Sequence, residues 1–351
     1  MNPKLLFDLK FDKPVRCHSF NKDCSKVAIY HETEEFSDDA FDINIYDCTN
    51  KAKPKLLAKL KNHTSHIRYL DWAPNSNFIL SCSADQNCYV WKEESSNNWT
   101  HVIVQSGLKF SASICKWSPD EKSLAIGSCS GNLRVCYYNS TYNWWGAKNL
   151  KDQSSAILSL CWDKSSKWLA VGTAERLIRV YEVEPLSSKP FFTQVTPYKG
   201  FCTNVMFTPS GDRLVAYSQD SCFTVIDFNK SKEDPNVTIS NVNAPTFSTM
   251  DFINDKTICC AGFDKMFYTF SIENDGKVKL NKSFGENTSK STGPVSAMAK
   301  FKSIDFKGSD KATGAMASKT HHTKIISLLQ KTKVNEFSAS GFDNKISIWS
   351  F

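Results

Sequence analysis

Short stretches of alternating apolar and polar residues recur along this chain, and the residue that closes one stretch has a counterpart at a nearly constant distance further on. The closing positions are Tyr46 (INIY), Trp91 (CYVW), Tyr137 (RVCY), Tyr181 (IRVY), Ile226 (FTVI), Phe270 (FYTF) and Trp349 (ISIW), at intervals of 45, 46, 44, 45, 44 and 79 residues. Six units keep the beat and the last is delayed by about 34 residues. Within a unit, one run reads LDWAP, CKWSP, LCWDK or VMFTP, a second reads FILSCS, SLAIGS, WLAVGT or RLVAYS, and a tight turn leads to the third. Period-two alternation, β-branched and aromatic residues, and punctuation by Pro, Asn, Asp, Ser and Gly predict short antiparallel strands.

A period near 45 with four strands per unit predicts an all-β fold, a seven-bladed β-propeller. The chain runs only two residues past Trp349, so the last blade needs a fourth strand from elsewhere. LLFDLKF, residues 5 to 11, is the expected donor: paired beside the final strand, it closes the ring and leaves no long sheet edge. Residues 1–351 are therefore read as one domain. The polar residues of the second unit, His63, Ser81, Asp85 and Trp91, stand where the unit resembles a WD40 repeat. In that repeat a histidine, a hydroxyl, a turn aspartate and a strand tryptophan hydrogen-bond in series, which satisfies groups that are costly to bury alone. His321, Asp343 and Trp349 stand at the same offsets in the last unit, with Ala339 in place of the serine.

The net charge is +7, and the 43 Lys and Arg residues are scattered rather than gathered into a nucleic-acid-binding tail. The start, MNPKLLFDLKFDKP, is too often charged for a signal peptide, and no run approaches the roughly 18 apolar residues of a membrane span. We therefore expect a protein of the cytosol or nucleus, without membrane insertion, most of whose 13 cysteines, lacking any CxxC spacing, are buried reduced thiols. GSCSG, residues 127 to 131, has the outline of a nucleophile elbow around Cys129, but that motif requires a strand running into a helix and here lies in a turn between strands. His321 and His322 have no second cluster at ligand spacing. No Walker loop or dinucleotide fingerprint occurs, so no catalytic residue, metal or cofactor is expected, and an enzyme is not. Trp144 and Trp145, in YNWWGAK, are expected in a loop between blades, either packed between them or offered to a partner.

The delay before the last unit lies in residues 284–321, where Gly, Ser, Thr and Lys dominate. Inside it, Ser296 can cap a short helix over about 296–305 with Ala297, Met298, Phe301 and Ile304 on one apolar face and Lys300 and Lys302 away from it. A helix of about ten residues is marginal alone and needs something to bind. It can fold back onto its own propeller, or enter a hydrophobic groove on a partner with Met298, Phe301 and Ile304 as anchors.

Taken together, LDWAPNSNFILSCSADQNCYVW, CKWSPDEKSLAIGS, NWWGAK followed by LSLCW, and SAMAKFKSID in the delayed unit are similar to the WD40-propeller subunit of the actin-related protein 2/3 complex. The resemblance covers nearly the whole chain, and the pattern SAM-x-x-F-x-x-x-D before the last blade is its most discriminating part. It implies a non-catalytic subunit that assembles with actin-related proteins and small subunits, binds filamentous actin, helps receive the acidic tails of nucleation-promoting factors, and works in the actin cytoskeleton. It further implies that Met298, Phe301 and Ile304 enter a groove on the filament while Lys300 or Lys302 meets an acidic surface. Ala299 and Lys300 depart from the Glu and Arg that the family motif often carries. The alternative is a general WD40 adaptor in another assembly.

Overall fold

A computed structural model describes residues 3–33, 37, 39–95, 97–150, 152–184, 186–195, 200–229, 234–285 and 320–351. Its regular elements are 28 β-strands, with no helix among the described residues. The expected helix at 296–305, with Met298, Lys300, Phe301, Lys302 and Ile304, lies outside the described residues. The first strand, β1 (Lys4–Lys10), is followed by an antiparallel meander of β2 (Val15–Phe20), β3 (Lys26–His31), β4 (Ile43–Asp47) and β5 (Lys55–Leu60). Next come β6 (Ile67–Trp72), β7 (Phe78–Ser83), β8 (Cys88–Ser95) and β9 (Asn98–Gln105), then β10 (Ala112–Trp117), β11 (Ser123–Ser128), β12 (Leu133–Asn139) and β13 (Trp144–Asn149). Two further meanders are β14 (Ile157–Trp162), β15 (Trp168–Thr173), β16 (Leu177–Glu182) with β17 (Phe192–Val195), and β18 (Cys202–Phe207), β19 (Arg213–Ser218), β20 (Cys222–Asp227) with β21 (Asn236–Asn241). The last are β22 (Phe247–Asn254), β23 (Thr257–Gly262), β24 (Phe267–Ile272), β25 (Val278–Phe284), and then β26 (Ile326–Lys333), β27 (Glu336–Gly341) and β28 (Lys345–Ser350).

The periodic residues Tyr46, Trp91, Tyr137, Tyr181, Ile226, Phe270 and Trp349 all fall on the third strand of a meander. β1 pairs antiparallel with β28, from Lys4 opposite Ser350 to Lys10 opposite Lys345, so the last sheet runs β1-β28-β27-β26. The expected donor strand is thus the observed one. The meanders β6–β9 and β10–β13 are joined into a single eight-stranded sheet by a short parallel contact, Trp145 opposite Val104 and Gly146 opposite Gln105. Trp145 and Val104 belong to one buried apolar cluster, which draws these outer strands together. This puts Trp144 and Trp145 in β13 instead of the expected loop.

Each apolar cluster is shared by two neighbouring meanders, because both faces of a sheet carry buried side chains. Ala28, Tyr30, Ile43 and Ile45 meet Ile67, Leu70, Ile79 and Trp91. Leu9, Ile346 and Ile348 meet Val15, Val27 and Ile29 across the junction of chain ends. The first strands of the meanders, β2, β6, β10, β14, β18, β22 and β26, touch in sequence, and β26 touches β2, so they form a cycle.

That cycle is stitched by side chains reaching the neighbouring backbone. Ser19 Oγ accepts from Trp72 N at 2.8 Å, Asp71 Oδ2 from Trp117 N at 2.7 Å, Cys161 Sγ from Phe207 N at 3.5 Å, Asp251 Oδ2 from Lys331 N at 2.7 Å and Gln330 Oε1 from Phe20 N at 3.4 Å. These five acceptors occupy the corresponding place near the end of their first strands. Lys116 stands there in β10, and its ammonium turns to Asp71 at 3.1 Å and to the face of Tyr69. Across the junction, the ring nitrogens of buried His18 share hydrogen bonds with Ser340 Oγ at 2.9 Å and Ser338 Oγ at 2.7 Å.

Two outcomes follow from this closure. Leu9 is fully buried and Leu6 on the same strand is 41% exposed. Leu9→Ala should therefore cost about 2–5 kcal/mol in a urea melt, while Leu6→Ala should stay within about 0.5 kcal/mol; equal costs would sink the assigned register. Burial pushes the His18 imidazole down to about 3, whereas in the unfolded chain it takes a proton near pH 6.5. Between those values the unfolded state binds the extra proton, so stability should fall as pH drops from about 6.5 toward about 3. His18→Gln should reduce that slope by about one proton, or about 1.4 kcal/mol per pH unit.

Candidate functional site

Two ends of the ring can be told apart by the antiparallel order of the strands. One carries the connections between meanders and the turns between second and third strands; there the polar networks sit, together with Gly285 and His321. In the second meander His63 Nδ1 meets Asp85 Oδ2 at 2.8 Å, His63 Nε2 meets Ser81 Oγ at 2.8 Å, and Trp91 Nε1 donates to the same Oγ at 2.8 Å. His63, Ser81, Asp85 and Trp91 are thus brought into one chain that links a connection, a turn and two strands. Burial works to raise the Asp85 carboxyl, but its bonds to His63, Thr64 N and Asn87 N together hold it below the usual carboxylate range.

In the last unit the network forms through a different histidine. His322, not His321, meets Asp343 at 3.0 Å, and its Nε2 meets Ser347 Oγ at 2.7 Å; Trp349 Nε1 donates to that oxygen at 2.8 Å. The cause is a hairpin shorter by one residue: Ile67 pairs with Ser83, whereas Ile326 pairs with Gly341. Counting back from the aspartate by the spacing of the second unit therefore overshoots to His321. Counting from the start of the first strand gives His63 and His322 alike, four residues before Ile67 and Ile326. The hydroxyl that Ala339 cannot supply comes from Ser347, two residues before the tryptophan on β28.

A third network has no residue in common with the repeat motif. Gln153, four residues before β14, donates from Nε2 to Tyr181 Oη at 2.8 Å; Arg179 bonds Gln153 and also Glu175 at 2.8 Å. Position, counted from strand starts, would have revealed it; residue identity could not.

His321 has another task. Its backbone N donates to Gly285 O at 2.6 Å, which brings together the chain on the two sides of 286–319. Its Nε2 meets Asp8 Oδ1 on β1 at 2.9 Å, its ring lies edge-on to Trp349 at 5.3 Å, and Lys345 Nζ donates to its carbonyl. Gly285, which follows β25, has φ +103°. Just before it, Phe284 stacks on Phe267 at 5.1 Å and packs edge-on to Trp349 and Phe351. The root of the insertion is therefore an aromatic cluster tied to the closing strand. Burial works to raise the Asp8 carboxyl, and the His321 bond with the nearby charges of His321, Lys345 and His322 outweighs it, leaving a net lowering.

Trp145 is buried against Trp117, with ring centres 5.2 Å apart, while Trp144 is 41% exposed beside exposed Tyr142. One tryptophan packs and the other remains available. Cys129 is exposed in the turn after β11, and the 13 cysteines are all free, most of them buried. Burial pushes Cys161 and Cys222 up to about 11 and Cys48 and Cys202 up to about 12, which suppresses the thiolate. Among the described residues, no group of three or more His, Cys, Asp or Glu is placed to hold a metal ion, and no helix is long and apolar enough to cross a membrane.

The WD domain, G-beta repeat family matches residues 54–92, and the Anaphase-promoting complex subunit 4 WD40 domain family matches residues 115–190. The chain is 28% identical to actin-related protein 2/3 complex subunit 1A-B of Xenopus laevis, over 97% of this chain and 94% of that one. It is 27% identical to subunit 1 of Saccharomyces cerevisiae, over 96% and 94%, and 28% identical to subunit 1 of Schizosaccharomyces pombe, over 96% and 97%. The chain matches a WD-repeat model over residues 54–92 and is similar over nearly its whole length to the subunit 1 proteins of the actin-related protein 2/3 complex.

The corrected network can be tested directly. Ser347→Ala removes the oxygen shared by His322 and Trp349 and should cost about 1–3 kcal/mol in a denaturant melt. Likewise, His322→Ala should destabilise more than His321→Ala, since the first side chain is fully buried and the second is not. The reverse order would return the network to His321.

Proposed function

We propose that this chain is the WD-repeat subunit, subunit 1, of an actin-related protein 2/3 complex, a seven-bladed propeller forming one domain over residues 1–351. It scaffolds the assembly and contacts actin without catalysing a reaction. The observation that carries this reading is similarity along 97% of the chain to a protein named for that complex. Isolated repeat motifs would match only in patches, as the family matches to 54–92 and 115–190 do. The networks of His63, Ser81, Asp85 and Trp91 and of His322, Asp343, Ser347 and Trp349 support a structural part for these groups, since each hydrogen-bonds others of its own set.

Its partners in this reading are the actin-related proteins and small subunits of the complex, filamentous actin, and the acidic tails of nucleation-promoting factors, within the cytoplasmic actin cytoskeleton. A net charge of +7 suits acidic partners. The insertion, residues 284–321, serves as the filament-contacting arm: a helix at about 296–305 offers Met298, Phe301 and Ile304 to a hydrophobic groove, flanked by Lys300 and Lys302. Support for an arm comes from its root, where Gly285 and His321 are hydrogen-bonded to each other at the edge of the ring, so that the segment leaves and re-enters at one point. A general adaptor in another assembly is the second reading, favoured by the match of 115–190 to a domain named for a different complex.

Purification of the tagged native protein should yield two actin-related proteins and several small subunits at equal abundance. Another constant partner in their place would favour the adaptor. In the assembled complex, Phe301→Ala should lower filament affinity about tenfold or more in co-sedimentation, as loss of an aromatic anchor does, and leave the thermal melt unchanged. Undiminished affinity would remove the arm from the mechanism.

A further inference from the structure

We propose that Asp8 and His321 form a clamp that fixes where the insertion leaves the ring, making Asp8, on the N-terminal closing strand, a positioning residue for the arm. The proposal rests on the reading of residues 284–321 as a filament-contacting arm. Its own basis is the geometry of the root. His321 is the point at which the chain returns from the insertion, and it is held on four sides: its N–H by Gly285 O at 2.6 Å, its carbonyl by Lys345 Nζ, its ring by a perpendicular contact with Trp349, and its Nε2 by Asp8 Oδ1 at 2.9 Å. Two of these partners, Lys345 and Trp349, lie on β28 of the last unit, and Gly285 follows β25 of the unit before it. Asp8 alone comes from the opposite end of the chain.

The placement of Asp8 is otherwise unexplained by the strand that carries it. Aspartate is depleted in strands, where its side chain competes for backbone hydrogen bonds. The pairing of β1 with β28 uses backbone groups, and the apolar work of the strand is done by Leu9, fully buried, with Phe7. An alternating strand at the ring's edge would accept Thr or Lys at position 8 without loss to either. What the carboxylate adds is one part-buried bond, 313 residues away in sequence, to the residue that anchors the insertion. Phe284 is set in its aromatic cluster on the outgoing side, so the clamp restrains the returning side, and both ends of the segment are then fixed to the ring.

A clamp of this kind acts by orientation. An arm whose base can pivot loses part of its binding energy in ordering that base when it docks, whereas one held in place has that ordering done in advance. Asp8→Ala should accordingly lower the filament affinity of the assembled complex about five- to tenfold, with the thermal melt moved by no more than about 2 °C. The exchanged pair, Asp8→His with His321→Asp, should bring affinity back to within about twofold. A purely structural contact would lower the melt and leave affinity alone. Hydrogen exchange judges the clamp without reference to filaments: in Asp8→Ala the His321 amide should exchange faster while the β28 amides keep their protection. Unchanged exchange at His321 would overturn the clamp. Phe301→Ala, measured beside it, separates the two ideas. If Phe301→Ala weakens filament binding and Asp8→Ala does not, the clamp is wrong and the arm stands. If neither weakens binding while exchange at His321 quickens, the clamp stands and the arm's partner is something other than the filament.

Discussion

The structure depends on the pairing of β1 with β28, because a cycle of sheets is stable only when its last member meets its first. Lys4 lies opposite Ser350, and the pairing continues to Lys10 opposite Lys345. Without β1, β28 would present a row of unpaired backbone groups, and Leu9 would leave the cluster in which Ile346 and Ile348 meet Val15 and Ile29. Closing so long a loop costs less than its length suggests, since the entropic penalty grows by only about 0.6 kcal/mol for each doubling of the loop. Against that penalty β1 sets the backbone hydrogen bonds and apolar burial of an ordinary strand in a sheet. Closure at the chain ends is therefore within reach of a fold whose other units are built from neighbours in sequence.

Closure also imposes a fixed spacing on the first strands, and that spacing explains why the repeat can be so degenerate. What five of the junctions satisfy is a backbone N–H of the neighbouring first strand. Ser19, Asp71, Cys161, Asp251 and Gln330 all do this from equivalent places, with four kinds of acceptor group. The networks at the other end show the same indifference to identity. His63, Ser81 and Asp85 are matched by Gln153, Arg179 and Glu175 two meanders later, and by His322, Ser347 and Asp343 in the last unit. Selection on geometry and satisfied polarity leaves residue type free, within what the burial allows.

This is why the fold was legible in the sequence and parts of the site were not. Alternation and the 45-residue interval depend on strand length and the ring's size, which every unit shares, so the third strands and the donor strand at residues 5 to 11 could be read from the pattern. The last unit's histidine could not be read by counting from Asp343, because a hairpin one residue shorter moves the count from His322 to His321. The Gln153 network was invisible to a search by residue type. Trp144 and Trp145 broke the alternation and looked like loop, yet the cluster shared with Val104 and Trp117 pulls Trp145 into β13. Tertiary burial overrides local pattern where an outer strand joins its neighbour's sheet.

The delayed interval is also accounted for by closure. A segment can be inserted into a ring without disturbing it only where its two ends lie side by side, and the Gly285–His321 hydrogen bond supplies such a place. On the ring's side, β26 docks against β22 and β2 although 286–319 separate it in sequence from β25. The insertion nevertheless falls in the unit that the N-terminal strand completes. Phe284 packs on Trp349, which lies opposite Leu5 of β1, and His321 bonds Asp8 of the same strand. Any force or ordering at the root is therefore felt first by the strand that closes the ring. By the reciprocity of coupled equilibria, a partner that holds the insertion in place must favour closure, and a chain whose N-terminal strand is loosened must hold its insertion less well.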